Sequence, residues 1–236
     1  MSDWQPGIVV EANPSDLDVL AGVLAEAFHR LALCVWLIPD HYERTRILPD
    51  YFRMVVEHGL QHGVVHTTTD RTGVATWMPR TGGAEPKIPD YQQRLQDMCG
   101  RWADRFLQLD AAMESANPLS PPHHQLVYLA VQPSMQRRRI GAGLVRHHIS
   151  WLDDNRMPAY LLAPGPYARD FYLRLGFCPH DVPIAVADHH KLLPAWRDPI
   201  RRWADGPPQA GPRNLDVFAP RPVADPPPDY PGPWPL

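Results

Sequence analysis

The densest chemistry in the chain lies in one run, Val131-Gln132-Pro133-Ser134-Met135-Gln136-Arg137-Arg138-Arg139-Ile140-Gly141-Ala142-Gly143-Leu144. It reads as a strand end, a loop and a helix start. Free N–H groups and the dipole at a helix N-terminus favour an anion, Gly141 and Gly143 allow a ligand close to the backbone, and three arginines add full charge. A diphosphate suits such a cradle; a solvated basic turn that packs a helix on a sheet is the other reading of the same residues. Twelve histidines offer groups that titrate near neutrality. The adjacent pairs His123-His124, His147-His148 and His189-His190 invite a metal, yet neighbours point apart on a strand and about 100° apart on a helix. No metal is expected.

The elements that must position these groups follow from periodicity. Gly7–Glu11 reads as a strand, and Asn13-Pro14-Ser15-Asp16 as a turn and N-cap before the ladder Leu17, Leu20, Val23, Leu24, Ala27, Phe28, Leu31. Residues 40–60 look helical with Pro49 as an interruption. Residues 64–69 and 74–79, joined by Asp70-Arg71-Thr72-Gly73, form a hairpin. Tyr91, Leu95, Met98, Trp102, Phe106, Leu109 and Met113 recur at spacings of three and four, which predicts one amphipathic helix over 90–115. The apolar run 125–131 reads as a strand buried on both faces. A helix at 141–155, a strand at 159–163, a helix at 167–175 and a final strand pair within 177–197 complete a mixed α/β sheet.

Read together, these motifs resemble the Gcn5-related N-acetyltransferase (GNAT) superfamily. Val131, Pro133, Gln136, Gly141 and Leu144 match its V-x-P-x-x-Q/R-G-x-G-x-G/A-x-x-L signature in register, and Ala168-Arg169-Asp170-Phe171-Tyr172-Leu173-Arg174-Leu175-Gly176-Phe177 looks like its A-x-x-F-Y-x-x-x-G-F. The resemblance covers about residues 125–180 closely. It implies a mainly antiparallel sheet whose central parallel strand pair splays apart, flanked by helices, with acetyl-CoA or another acyl-CoA in the gap. Backbone groups of Leu129, Ala130 and Val131 would hold the pantetheine arm. Gln136, Arg137, Arg138, Arg139, Ile140, Gly141, Ala142 and Gly143 would hold the diphosphate. Tyr172 matches the family's general acid, with core packing beside Phe171 and Phe177 as its alternative.

The sequence departs from that pattern at three places. Arg139 stands where the first glycine is usual, Gly165 where an Asn is common, and Gln125 where some members carry a glutamate base. Candidate bases are then His123, two residues before Gln125, and Glu26, with His29 and Glu57 nearby on the first two helices. The aromatics Trp36, Trp77 and Tyr128, with His29, are candidate walls for an acceptor. The expected activity is acyl transfer from CoA to a small primary amine, the added bulk of residues 90–117 narrowing the cleft. A non-catalytic acyl-CoA sensor and a protein acetyltransferase are the rival readings.

Composition limits the rest. The 236 residues carry a net charge of −3, so nucleic acid is not an expected partner. Three distant cysteines argue against a disulfide scaffold, and the absence of a long apolar run argues against a membrane span, so the cytoplasm is the expected location. Of 29 prolines, 12 fall between Pro199 and Pro235, which predicts an acyltransferase domain over 1–198 and a proline-rich tail over 199–236. Its aromatics would let that tail lie on the domain or on a second copy of the chain, leaving a homodimer open.

Overall fold

Strand Val9–Glu11 (β1) pairs antiparallel with Val64–Thr68 (β2), which turns back into Gly73–Arg80 (β3). The structure, a computed structural model, describes residues 8–83, 85–187 and 190–200; the proposed tail from 201 onward lies outside the described residues. β3 pairs along its length with His123–Val131 (β4), and β4 pairs in parallel with Ala159–Ala163 (β5). Cys178–Pro179 (β6), Ile184–Ala187 (β7) and His190–Arg197 (β8) follow, giving the order β1-β2-β3-β4-β5-β8-β6 with β7 on β8. Among the described strands only β4 and β5 run parallel, the central pair that the motifs imply.

Each face of the sheet is covered by helices that bring an apolar stripe to it. One buried cluster gathers Leu17–Phe28 (α1), Ala32–Leu37 (α2), His41–His62 (α3), Tyr91–Cys99 (α4) and Ala103–Ser115 (α5) over Val65, Val74 and Ala130. The other gathers Ile140–Asp154 (α6) and Pro166–Leu173 (α7) over Ala75, Trp77, Leu126 and Leu129. Gly73 permits α6 to seat on β3: a Cβ there would lie 2.8 Å from Ile140 Cγ2. At its far end α6 is clamped to β8, where Arg197 donates from both terminal nitrogens to Asp153 at 2.8 Å each.

Three expectations are corrected. The single helix over 90–115 is two, because Gly100 takes φ 52°, a left-handed value that ends α4 although the apolar spacing runs on. Conversely α3 continues through Pro49, whose exposed ring leaves its missing hydrogen bond on the solvent side. The closing segment holds three strands, not two.

One local feature sets the chemistry of β4. Thr76 faces Tyr128 but Trp77 faces Leu126, so Val127 is a bulge with no partner on β3. Side chains alternate along a strand, so the extra residue puts Gln125 and Tyr128 on the same face, towards α1–α5, and Leu126 and Leu129 on the face of α6.

Candidate active site

β4 and β5 stay in register only at His124↔Ala159, Gln125↔Tyr160 and Leu126↔Leu161. Past Leu126 the free edge of β4, through Tyr128, Leu129, Ala130 and Val131, has no described strand beside it, while β5 stays paired on its other edge to β8 from Ala159↔Arg197 to Ala163↔Leu193. A wedge opens there, with a strand edge to which an extended ligand can add hydrogen bonds.

The wedge leads into the arginine loop. Gln136 Nε2 donates to Val131 O at 3.2 Å and ties the loop back to the strand end. Arg137 and Arg139 both take left-handed φ, 62° and 64°, Arg139 immediately before α6. An L-residue loses roughly 1–2 kcal/mol in that conformation, so the backbone keeps the shape that a glycine would favour although the side chain is arginine. The first-turn N–H groups of Ile140, Gly141 and Ala142 project from the helix end. A Cβ on Gly143 would meet nothing within 4 Å, so the space beside that first turn is open.

Tyr172 lies on α7 with its ring between Phe171 and Phe177, at centroid distances of 5.1 and 5.8 Å. Burial pushes its phenol well above the ordinary value, and its hydroxyl forms no hydrogen bond with a described residue.

On the α1–α5 face a cleft of about 440 Å³ is bounded by Ala32, Leu33, Pro164, Gly165, Lys191 and Leu193. Trp36 borders it through His190, 5.9 Å away, and its carbonyl accepts from Arg105. Behind the wedge a line of tyrosines leaves Tyr128: its oxygen lies 3.2 Å from that of Tyr51, Tyr51 lies beside Tyr91, and Tyr91 donates to Asp110 Oδ2 at 2.7 Å. Burial raises the Asp110 carboxyl to about 6, against the opposing effect of the Tyr91 hydrogen bond. Burial also raises Tyr51 and Tyr128, and Cys34 beside Tyr128 is pushed up to about 12.

The other residues singled out from the sequence fall elsewhere. Glu26 sits on the exposed side of α1, because the inward stripe of that helix is apolar. His123 shares the face of Gln125 as expected but lies at the start of β4, remote from the splay; Tyr160 and Trp196 enclose its ring and Nδ1 lies 3.0 Å from Pro121 O. Gln125 accepts from Arg80 Nε at 2.8 Å. His29 ends α1 with Nε2 3.0 Å from Thr45 Oγ1, and Glu57 pairs with Arg94 at 3.8 Å. Trp77 does not wall the acceptor cleft: the register turns it to the α6 face, fully buried and stacked on His148 at 4.4 Å.

His123 and His124 are split as strand geometry requires, but His147 and His148 both lie against His66, at ring distances of 4.8 and 5.1 Å, and His148 also meets His124. His148 Nδ1 lies 3.0 Å from His66 Nε2, and its Nε2 lies 3.0 Å from His124 Nδ1, in a buried chain between α6 and the sheet. Burial depresses all three, His148 to about 2 and His66 to about 4. Among the described residues no group of three or more His, Cys, Asp or Glu is placed to hold a metal ion, and no helix is long and apolar enough to cross a membrane.

A parallel pair that splays beside an anion-accepting helix start, with a tyrosine on the following helix, defines a GNAT-type acyltransferase fold. Residues 96–177 match the model of the acetyltransferase (GNAT) family. No curated protein matches the chain. Among solved structures it is similar to histone acetyltransferase HPA2 and related acetyltransferase from Corynebacterium glutamicum, with TM-score 0.62 and 23% identity over 84% of this chain and 99% of that one. Arylalkylamine N-acetyltransferase 2 from Aedes aegypti aligns with TM-score 0.59 and 12% identity over 81% and 98%. Polyamine N-acetyltransferase from Drosophila melanogaster aligns with TM-score 0.54 and 14% identity over 81% and 99%.

Proposed function

We propose that the chain transfers an acyl group from acyl-CoA, acetyl-CoA first among them, to a primary amine of a small molecule. The observation that carries this reading is the unpaired β4 edge running without a break into the arginine loop and the open first turn of α6. The residues fit the group: Gly143 leaves room that a side chain would fill, and the left-handed Arg137 and Arg139 shape the loop around that room. Backbone groups of Leu129, Ala130 and Val131 would hold the pantetheine arm, and residues 136–143 the diphosphate. When bound, acyl-CoA supplies the acyl group as an activated thioester.

Tyr172 gives its proton to the departing sulfur, and burial keeps that proton in place until then. A small acceptor is favoured by the modest cleft and by α4 and α5, which lie over the face where a peptide would need an open groove. The insect relatives named for arylalkylamines and polyamines support the same choice.

Calorimetric titration with CoA and acetyl-CoA, followed by acetyl transfer to spermidine, agmatine, 2-phenylethylamine and a histone-tail peptide, tests the reading. Micromolar binding with faster turnover of an amine than of the peptide is expected. Binding without turnover of any acceptor would favour the sensor reading, and no binding would remove the cradle.

A further inference from the structure

We propose that Asp110, acting through Tyr91, Tyr51 and Tyr128, is the terminal proton acceptor for the acceptor amine, in place of the glutamate that Gln125 lacks. The inference rests on the acyltransferase reading and assigns the half of its proton transfer that Tyr172 does not serve. A carboxylate can only accept, so Tyr91 donates to Asp110, as its 2.7 Å hydrogen bond shows. The line continues through Tyr51, which lies beside Tyr91 and shares a 3.2 Å hydrogen bond with Tyr128 in which either hydroxyl can donate; transfer towards Asp110 uses the arrangement in which Tyr128 donates and its lone pairs accept from whatever enters beside it. Tyr128 stands two residues past the last β4–β5 pair, on the β4 edge that opens into the wedge. The bulge at Val127 is what turns it to the α1–α5 face.

Packing isolates the line. Phe28 and Phe52 lie against the Tyr128 ring at 6.2 and 5.6 Å, and Phe106 against Tyr51 at 4.7 Å. The titratable groups facing it are Tyr91 from α4, Tyr51 from α3, Tyr128 from β4 and Cys34 from α2; among the described residues Asp110 has no ion-pair partner. A carboxylate half-buried among rings without a cation is expensive to keep, and a use for its charge would account for it. The step balances as follows. An entering ammonium loses one proton to Tyr128 as each hydroxyl passes its own onward, and Asp110 becomes the neutral acid, then releases the proton to water. The nitrogen bonds to the acyl carbon as the carbon–sulfur bond breaks. Tyr172 protonates sulfur and is restored by the second nitrogen proton, leaving an amide, a thiol and one proton in solution.

The test is kcat/KM against pH for the full chain, with acetyl-CoA and the fastest of spermidine, agmatine and 2-phenylethylamine. The wild type should lose activity below about 6, where Asp110 takes up its proton. Asp110→Asn should lower kcat/KM at neutral pH by about 10²-fold and abolish that acid limb, with CoA affinity unchanged and Asp110→Glu restoring part of the limb. Tyr91→Phe, which breaks the line but keeps the carboxylate, should behave as Asp110→Asn does and carries the test if that variant fails to fold. Unchanged kcat/KM in both variants, or a loss that leaves the acid limb in place, would overturn the inference. A wild type that binds CoA yet acetylates none of the amines overturns the acyltransferase reading and this inference with it; an active wild type with indifferent variants removes the tyrosine line alone.

Discussion

A proton donor at neutral pH must hold its proton until the leaving group asks for it, and burial between Phe171 and Phe177 gives Tyr172 that property. Tyr172→Phe keeps the packing and removes only the hydroxyl. Under the proposed function kcat falls ~10²-fold while the dissociation constant for CoA stays within a factor of about two; steady-state kinetics beside calorimetry check both, and an unchanged kcat would take Tyr172 out of the mechanism. Arg139 makes a second residue-scale prediction. Its φ of 64° suits glycine, so Arg139→Gly should raise stability in urea by about 1 kcal/mol, and a fall would mean that the side chain holds the loop. The loop and Tyr172 were legible in the sequence because both sit in short contiguous motifs. Asp110 was not, because its partners arrive from α3, α4 and β4 through packing. The one local signal was an acid interrupting the inward stripe of Ala103, Phe106 and Leu109, and periodicity reads past such an interruption.

At the scale of elements, strand positions were the easiest to read, since alternation and the 159–163 run fix them locally, and the β2–β3 hairpin emerged within a residue or two. Helix boundaries were harder. Gly100 and Pro49 are both breakers by type, yet only Gly100 breaks its helix, because exposure lets the carbonyl opposite Pro49 find water. The seating of α6 on β3 makes the element-scale prediction. Gly73→Ala would place a Cβ 2.8 Å from Ile140 Cγ2 and 2.9 Å from Leu144 Cδ1. The expected cost is about 1–3 kcal/mol of stability, with weaker CoA binding, because Ile140 opens the turn that would cradle the diphosphate. Chemical denaturation and calorimetry on the same variant check the two effects; full stability would show that α6 moves freely on the sheet.

Over the whole molecule, buried histidines tie stability to pH. His66 and His148 have folded values of about 4 and about 2, below the ordinary 6.5. The unfolded chain therefore binds more protons as pH falls below 6.5, and stability present above that pH is lost as acid is added. Asp110 works the other way: its folded value of about 6 exceeds the ordinary 3.8, so the folded state takes up the proton first and gains between those two values. The midpoint in urea should thus fall between about pH 6.5 and 5, and fall more steeply in Asp110→Asn; a flat or rising midpoint would contradict the depressed histidines. The bulge at Val127 has a consequence of another kind. Because one unpaired residue decides which side chains of β4 look towards each layer, descendants of this sequence can exchange residue types along the strand but must keep Val127 out of the ladder. Were Val127 drawn into the ladder as a paired residue, Tyr128 would pass to the layer of α6 and Leu129 into its place, transposing every later position at once, whereas its deletion would leave Thr76↔Tyr128 and Trp77↔Leu126 as neighbouring rungs with the faces kept. What such a strand hands down is the pairing of its rungs, which tolerates a shorter chain at that point better than a straighter one.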